Sequence, residues 1–187
     1  MKMTLPTVLT FSRIVLIPIL VVMFYLPFEW ARPAAALVFL LGALTDWLDG
    51  YLARRLNQQS AFGAFLDPVA DKIMVAIVLI MLVQSNPELW MALPAMVIIG
   101  REIVVSALRE WMAESGQRAL VAVNALGKFK TVAQLVALLL MLYQESILQL
   151  PTFTVGVVLL YVAALLTLYS MIEYLRASAT AVPRRDP

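Results

Sequence analysis

The sequence predicts an all-α integral membrane protein with six transmembrane helices and a short amphipathic segment at its amino terminus. Three observations predict it. Of the 187 residues, 63% are hydrophobic and only 14% charged, and the mean hydropathy is +0.89, beyond what an ordinary soluble domain carries. The apolar residues fall into six long runs, most of them close to the roughly 20 residues that a helix needs to cross a bilayer. Short turns carrying proline or charge separate the runs. No repeat and no second domain is apparent, so residues 1–187 read as a single membrane domain.

Met1 to Leu9 is mildly amphipathic and broken by Pro6, so residues 1–10 are expected to lie along the membrane surface. The first span runs from about Phe11 to Leu26, short enough to be tilted or to merge with the segment before it. Pro27 to Pro33 is a turn, and Pro33 suits the first helical position of the second span. That span carries Asp46 and Asp49 towards its end. The third runs from about Ala64 to Gln84 with Asp67 and Asp71 near its start, and Ser85 to Pro87 is the next turn. The fourth runs from about Leu89 to Met112, the fifth from Val121 to Tyr143 and the sixth from Phe153 to Tyr174. Ala177 to Pro187 is a polar tail, expected to be disordered.

Charge in the loops predicts orientation. The turns after spans one, three and five hold Glu29, Glu88 and Glu145 with Arg32 as the one basic residue. The other side has Lys2, Arg54, Arg55, Arg109, Arg118, Arg184 and Arg185. The positive-inside rule then places both termini in the cytoplasm. With no Cys there are no disulfides and no thiol chemistry. The basic residues are scattered rather than gathered in one stripe, so no nucleic-acid partner is expected.

The stretch from Asp46 to Asp71 organises the chain. It reads D-x2-D-G-x2-A-R-x8-G-x3-D-x3-D and holds four aspartates in a chain with 12 acidic residues. Asp46 and Asp49, three apart on a helix, share a face with Cβ atoms roughly 5–6 Å apart. Asp67 and Asp71 share a face of the next helix. Arg54 to Ser60 forms a polar turn between them, so the two pairs can converge in a helical hairpin. Gly42, Gly50 and Ala53 lie on the side of Asp46 and Asp49, leaving room for something bulky against the backbone. Four unpaired carboxylates near lipid would be very unfavourable, and two divalent cations would cancel their charge. With no His or Cys, the ligands are hard oxygens, which favours Mg²⁺ or Mn²⁺ over zinc or copper. Two such ions form a known clamp for displacement at phosphorus. The plainer alternative is a set of solvated aspartates at helix ends. A further one is a cation pathway through a transporter. All four aspartates lie towards one side, and no polar path continues to the other.

A second polar group sits where spans four and five meet the same side. It reads GREIVVSALREWMAESG, then NALGKFKTVAQ. Arg101, Arg109, Lys128 and Lys130 are too many bases to bury without a reason. Glu102, Ser106 and Arg109 fall close together on a helical wheel. Ser106 and Arg109, three apart, can donate to one phosphate. Arg101 and Glu102 can form an internal ion pair that supports the site. The alternative for Arg109 and Lys130 is snorkelling to lipid headgroups.

The pattern of Asp46, Asp49, Gly50, Ala53, Arg54, Gly63, Asp67 and Asp71 resembles the signature of the CDP-alcohol phosphotransferases. That resemblance implies a six-helix membrane enzyme, usually a homodimer, that moves a phosphatidyl group from CDP-diacylglycerol to an alcohol with divalent metal and releases CMP. REIVVSALREWMAE, GKFKT and Gln134, and the start LPTVLTFSRIVLIP, resemble the phosphatidylglycerophosphate synthase branch. Arg13 matches that branch; Thr4 and Thr7 stand where it usually has Asn. The branch implies sn-glycerol 3-phosphate as acceptor and the bacterial inner (cytoplasmic) membrane as location. Other acceptors within the family are inositol or its phosphate, glycerol, serine or a lipid.

The resemblance also implies roles. Asp46, Asp49, Asp67 and Asp71 hold two Mg²⁺ or Mn²⁺ ions. Asp46, Asp49, Gly50, Ala53, Arg54 and Gly63 bind the donor nucleotide: Gly50 and Ala53 by allowing close approach, Arg54 by pairing with phosphate oxygens. Asp71 is the candidate general base, since a chain without His must use a carboxylate or water. Arg101, Ser106, Arg109, Lys128 and Lys130 hold the acceptor's phosphate.

Overall fold

Apolar runs of this length form helices because lipid offers no partner to a free N–H or C=O, so each segment must pair its own backbone. A computed structural model describes residues 5–56, 61–114, 125–146 and 149–181. They form α1 (Leu5–Tyr25), α2 (Ala31–Leu56), α3 (Ala61–Ser85), α4 (Leu89–Glu114), α5 (Ala125–Tyr143) and α6 (Thr152–Ala181). All but α5 contain a stretch long and apolar enough to cross a membrane, and α5 has the shorter apolar stretch Phe129–Tyr143. The protein is an all-α integral membrane protein.

The boundaries differ from the sequence reading at several points. From Leu5 onward the amino-terminal segment is continuous with the first span. Pro6 lies in the first turn, where its missing N–H has no helical partner to lose. Pro18, Pro68 and Pro94 likewise sit inside α1, α3 and α4. The second helix starts before Pro33 and runs to Leu56, through the start of the expected polar turn. Of that turn, residues 57–60 lie outside the described residues, as do 121–124 of the expected fifth span. The last helix continues to Ala181, so the tail begins later than expected.

The helices alternate in direction and build one apolar core, in which Leu20, Phe39, Leu79, Leu82, Met91, Ile98, Leu138, Met141 and Leu160 are fully buried. Packing is most extensive between α5 and α6, then between α1 and α2, while α2 and α3 touch at few positions. At one end, Tyr25 bonds Gln84, Arg32 bonds Ser85 and the Tyr161 hydroxyl bonds the Trp90 carbonyl. Trp30 and Trp111 are exposed near helix ends, as expected of residues at a membrane–water boundary.

Large side chains such as Val22, Leu37, Ile80 and Leu165 face outward along the helices. That is the surface a bilayer would cover.

Two glycines set close approaches. A Cβ on Gly156 of α6 would lie 2.5 Å from Met141 Cγ and 2.9 Å from the Ala137 carbonyl oxygen, both on α5. A Cβ on Gly42 of α2 would lie 2.4 Å from Met74 Cε on α3 and 3.9 Å from Arg13 Cγ on α1. Three helices therefore meet at Gly42.

Candidate active site

The Gly42–Met74 contact sets the level of α2 against α3. Asp46 and Asp49 follow Gly42 by four and seven residues; Asp71 and Asp67 precede Met74 by three and seven. On a 3.6-residue helix these are steps of one and two turns along one face. The two helices run in opposite directions, since Arg32 at the start of α2 reaches Ser85 at the end of α3. The steps therefore lead the same way, and Asp46 and Asp71 stand level. The room beside Gly42 is taken by Met74 and the stem of Arg13, so at that position the small residue serves helix packing rather than a ligand.

α1 supplies what the sequence reading left out. Arg13 is fully buried, its Nη1 is 3.0 Å from Asp46 Oδ1, and its Nη2 donates to Asp49 Oδ2 at 2.6 Å. The Asp49 side chain is buried, whereas that of Asp46 is 40% exposed, so Asp46 is the more accessible carboxylate of the pair. One guanidinium thus meets two of the four carboxylates, a partner that the charge balance read from the sequence did not include. The signal was present: Arg13 is the only charged residue from Val8 to Tyr25, and an ionisable group within a span is a functional candidate by default. The site is accordingly built by α1 as well as by the α2–α3 hairpin.

The donor chemistry fits a hard divalent cation. Each carboxylate offers two hard oxygens with about four lone-pair sites, more than one guanidinium nitrogen occupies. Among the described residues, no three acidic side chains are grouped closely enough to hold a metal. Asp71 is exposed on α3 and Gly63 is half-buried. Gly50, Ala53 and Arg54 lie on α2 and Asp67 on α3 by their backbones; the side chains of Ala53, Arg54 and Asp67 are outside the described residues.

The second group gathers four helices. Glu102 Oε1 on α4 accepts from Arg101 Nη1 at 2.8 Å and from Lys130 Nζ of α5 at 3.0 Å. Arg101 Nη2 also donates to Ser170 Oγ of α6 at 3.2 Å. Lys130 is buried, so it is held inside the bundle rather than snorkelling. Two cations against one carboxylate leave a surplus of one positive charge. Ser106 differs from expectation: its hydroxyl donates to the Glu102 carbonyl and accepts from Lys72 of α3. Lys72 was not foreseen, because it lies in the first hairpin and only tertiary contact brings it to α4. Lys72 and Ser106 border a cleft of about 430 Å³ between α3 and α4, walled by Val69, Ile73, Ile99 and Ile103.

Arg109 also differs from expectation. It donates to the Tyr174 hydroxyl of α6 at 2.9 Å and lies against that ring. It is therefore directed at α6 rather than sharing a ligand position with Ser106. Lys128 lies on α5, with its side chain outside the described residues.

Comparison with known proteins finds matches along most of the chain. A family profile described as CDP-alcohol phosphatidyltransferase matches residues 3–169. A protein of Salmonella choleraesuis (strain SC-B67) is 53% identical over 178 residues, covering 95% of this chain and 96% of the relative. Proteins of Shigella flexneri and Escherichia coli (strain K12) are each 52% identical over the same shares. All three are named CDP-diacylglycerol--glycerol-3-phosphate 3-phosphatidyltransferase.

Proposed function

This chain belongs to the CDP-alcohol phosphatidyltransferase family, and from that premise we propose that it transfers the phosphatidyl group of CDP-diacylglycerol to sn-glycerol 3-phosphate. The products are phosphatidylglycerophosphate and CMP, and the enzyme serves phospholipid biosynthesis. The observation that carries this reading is the pair Asp46 and Asp49, gathered on one buried guanidinium inside an apolar bundle. Relatives of that name match the chain over 95% of its length.

In this reading Asp46, Asp49, Asp67 and Asp71 hold two divalent cations, Mg²⁺ or Mn²⁺. Such ions, when bound, supply charge neutralisation to the donor's pyrophosphate and to the oxygens exchanged at phosphorus. Gly50, Ala53 and Gly63 let the nucleotide approach the helices, and Arg54 pairs with a phosphate oxygen. Asp71 takes the proton of the acceptor hydroxyl. That oxygen bonds to the phosphorus on the diacylglycerol side, the pyrophosphate P–O bond breaks, and its electron pair leaves with CMP.

The cationic group orients the acceptor. The surplus charge of Arg101, Glu102 and Lys130, with Lys128 two residues before Lys130 in the sequence, attracts its phosphate. Holding that phosphate also orients the hydroxyl, which can supply several kcal/mol of the barrier reduction. Residues 1–187 act as one membrane domain, working as a homodimer in the bacterial inner membrane with both termini and the active site cytoplasmic. The loop charges support that orientation.

The test is CMP release by purified protein in mixed micelles of CDP-diacylglycerol and detergent. Release should depend on glycerol 3-phosphate and be slight with inositol, inositol phosphate, glycerol or serine. Equal release with an unphosphorylated alcohol would refute the acceptor assignment.

A further inference from the structure

Arg13 is a costly way to join two helices. Apolar contact already seats α1 on α2, with Ile17, Leu20 and Phe24 of α1 and Ala35, Ala36 and Phe39 of α2 in one buried core. A buried ion pair adds little over apolar packing of the same volume. Its geometry points to another purpose. The two nitrogens of one guanidinium end reach separate carboxylates, at 3.0 Å for Asp46 and 2.6 Å for Asp49. Left alone, two carboxylates one turn apart repel and turn away from each other. A planar fork fixes both side chains at once, which a point charge does not do.

We propose that Arg13 is a positioning residue that presets Asp46 and Asp49 as paired ligands for a divalent cation. This inference rests on the cation site of the preceding reading. The charge of Arg13 opposes that of the metal, so its benefit comes from geometry. Shape and charge can therefore be separated by substitution.

Arg13→Lys keeps the charge and loses the fork; Arg13→Gln loses both. The probe is Mn²⁺ alone, added to the purified full-length protein in detergent without substrate, with free Mn²⁺ read by electron paramagnetic resonance. Circular dichroism on heating reads the fold. Loss of a side chain that orients a metal ligand costs roughly 10–100-fold in affinity, and a loss in that range is expected for Arg13→Lys with melting little changed. The Mg²⁺ concentration for half-maximal rate should rise by a similar factor, while the rate at saturating Mg²⁺ falls less.

Wild-type Mn²⁺ affinity in Arg13→Lys, with tighter binding in Arg13→Gln, would mean that Arg13 acts only as a charge and would overturn the proposal. Lower melting with unchanged affinity would mean a purely structural clamp and would also overturn it. If Arg13→Gln does not fold, Arg13→Lys alone decides. Failure of the wild-type protein to bind Mn²⁺ would overturn the cation site itself, and with it this role.

Discussion

Replacing Glu102 by Gln removes one negative charge and leaves two cations facing each other. Arg101 and Lys130 both bond the same oxygen, at 2.8 and 3.0 Å, so their nitrogens are at most about 6 Å apart. At an effective dielectric of about 20, two unit charges at about 6 Å repel by about 3 kcal/mol. Breaking a buried ion pair by removing one partner costs about 3–5 kcal/mol, in agreement. A neutral hydrogen bond between membrane helices is worth only about 0.6 kcal/mol, so charge rather than bond count decides the outcome. The assay is reversible unfolding of the purified protein in mixed micelles with increasing dodecyl sulfate. Glu102→Gln should lose about 3–5 kcal/mol. The double variant Glu102→Gln/Lys130→Met should recover most of that loss, because it removes the stranded cation. A single-variant loss below about 1 kcal/mol, or a double variant no more stable than the single, would refute this account.

Other outcomes follow from the geometry. Asp71→Asn should keep donor binding while single-turnover rate falls by roughly 10²–10⁴; Asp46→Asn should lose metal and donor affinity together and be partly rescued by high Mg²⁺. If both behave alike in a Mg²⁺ titration, Asp71 is only a ligand. Gly156→Ala should lower stability by about 1–3 kcal/mol in the same unfolding assay, because its Cβ would press on the backbone of α5. Gly42→Ala should cost less, since only the end of the Met74 side chain must move, and equal losses would contradict the packing described. Excess chelator should abolish CMP release and Mg²⁺ or Mn²⁺ restore it, with Ca²⁺ a poor substitute because of its larger, looser coordination; full activity in chelator would exclude metal ligation by the aspartates.

Hydropathy and spacing by themselves determine much of this protein. In lipid a backbone must satisfy itself, so the apolar runs could only be helices. The period of the helix puts Asp46 with Asp49 and Asp67 with Asp71 on shared faces whatever surrounds them. Helix ends were less legible, because Pro6 and Pro33 lie where a missing N–H costs nothing and helices run through them. Only the tertiary structure decided which distant groups share a charge. Arg13 is 36 residues from Asp49 and Lys130 is 28 from Glu102, and no local period links either pair. Lys72 reads as part of the aspartate hairpin, yet it bonds Ser106; Arg109 reads as a partner of Ser106, yet it bonds Tyr174. Periodicity fixes the direction of a side chain about its own helix axis, but not which helix stands opposite. That choice belongs to the packing of the whole bundle, where Gly42 and Gly156 admit their neighbours and a buried charge must find its partner.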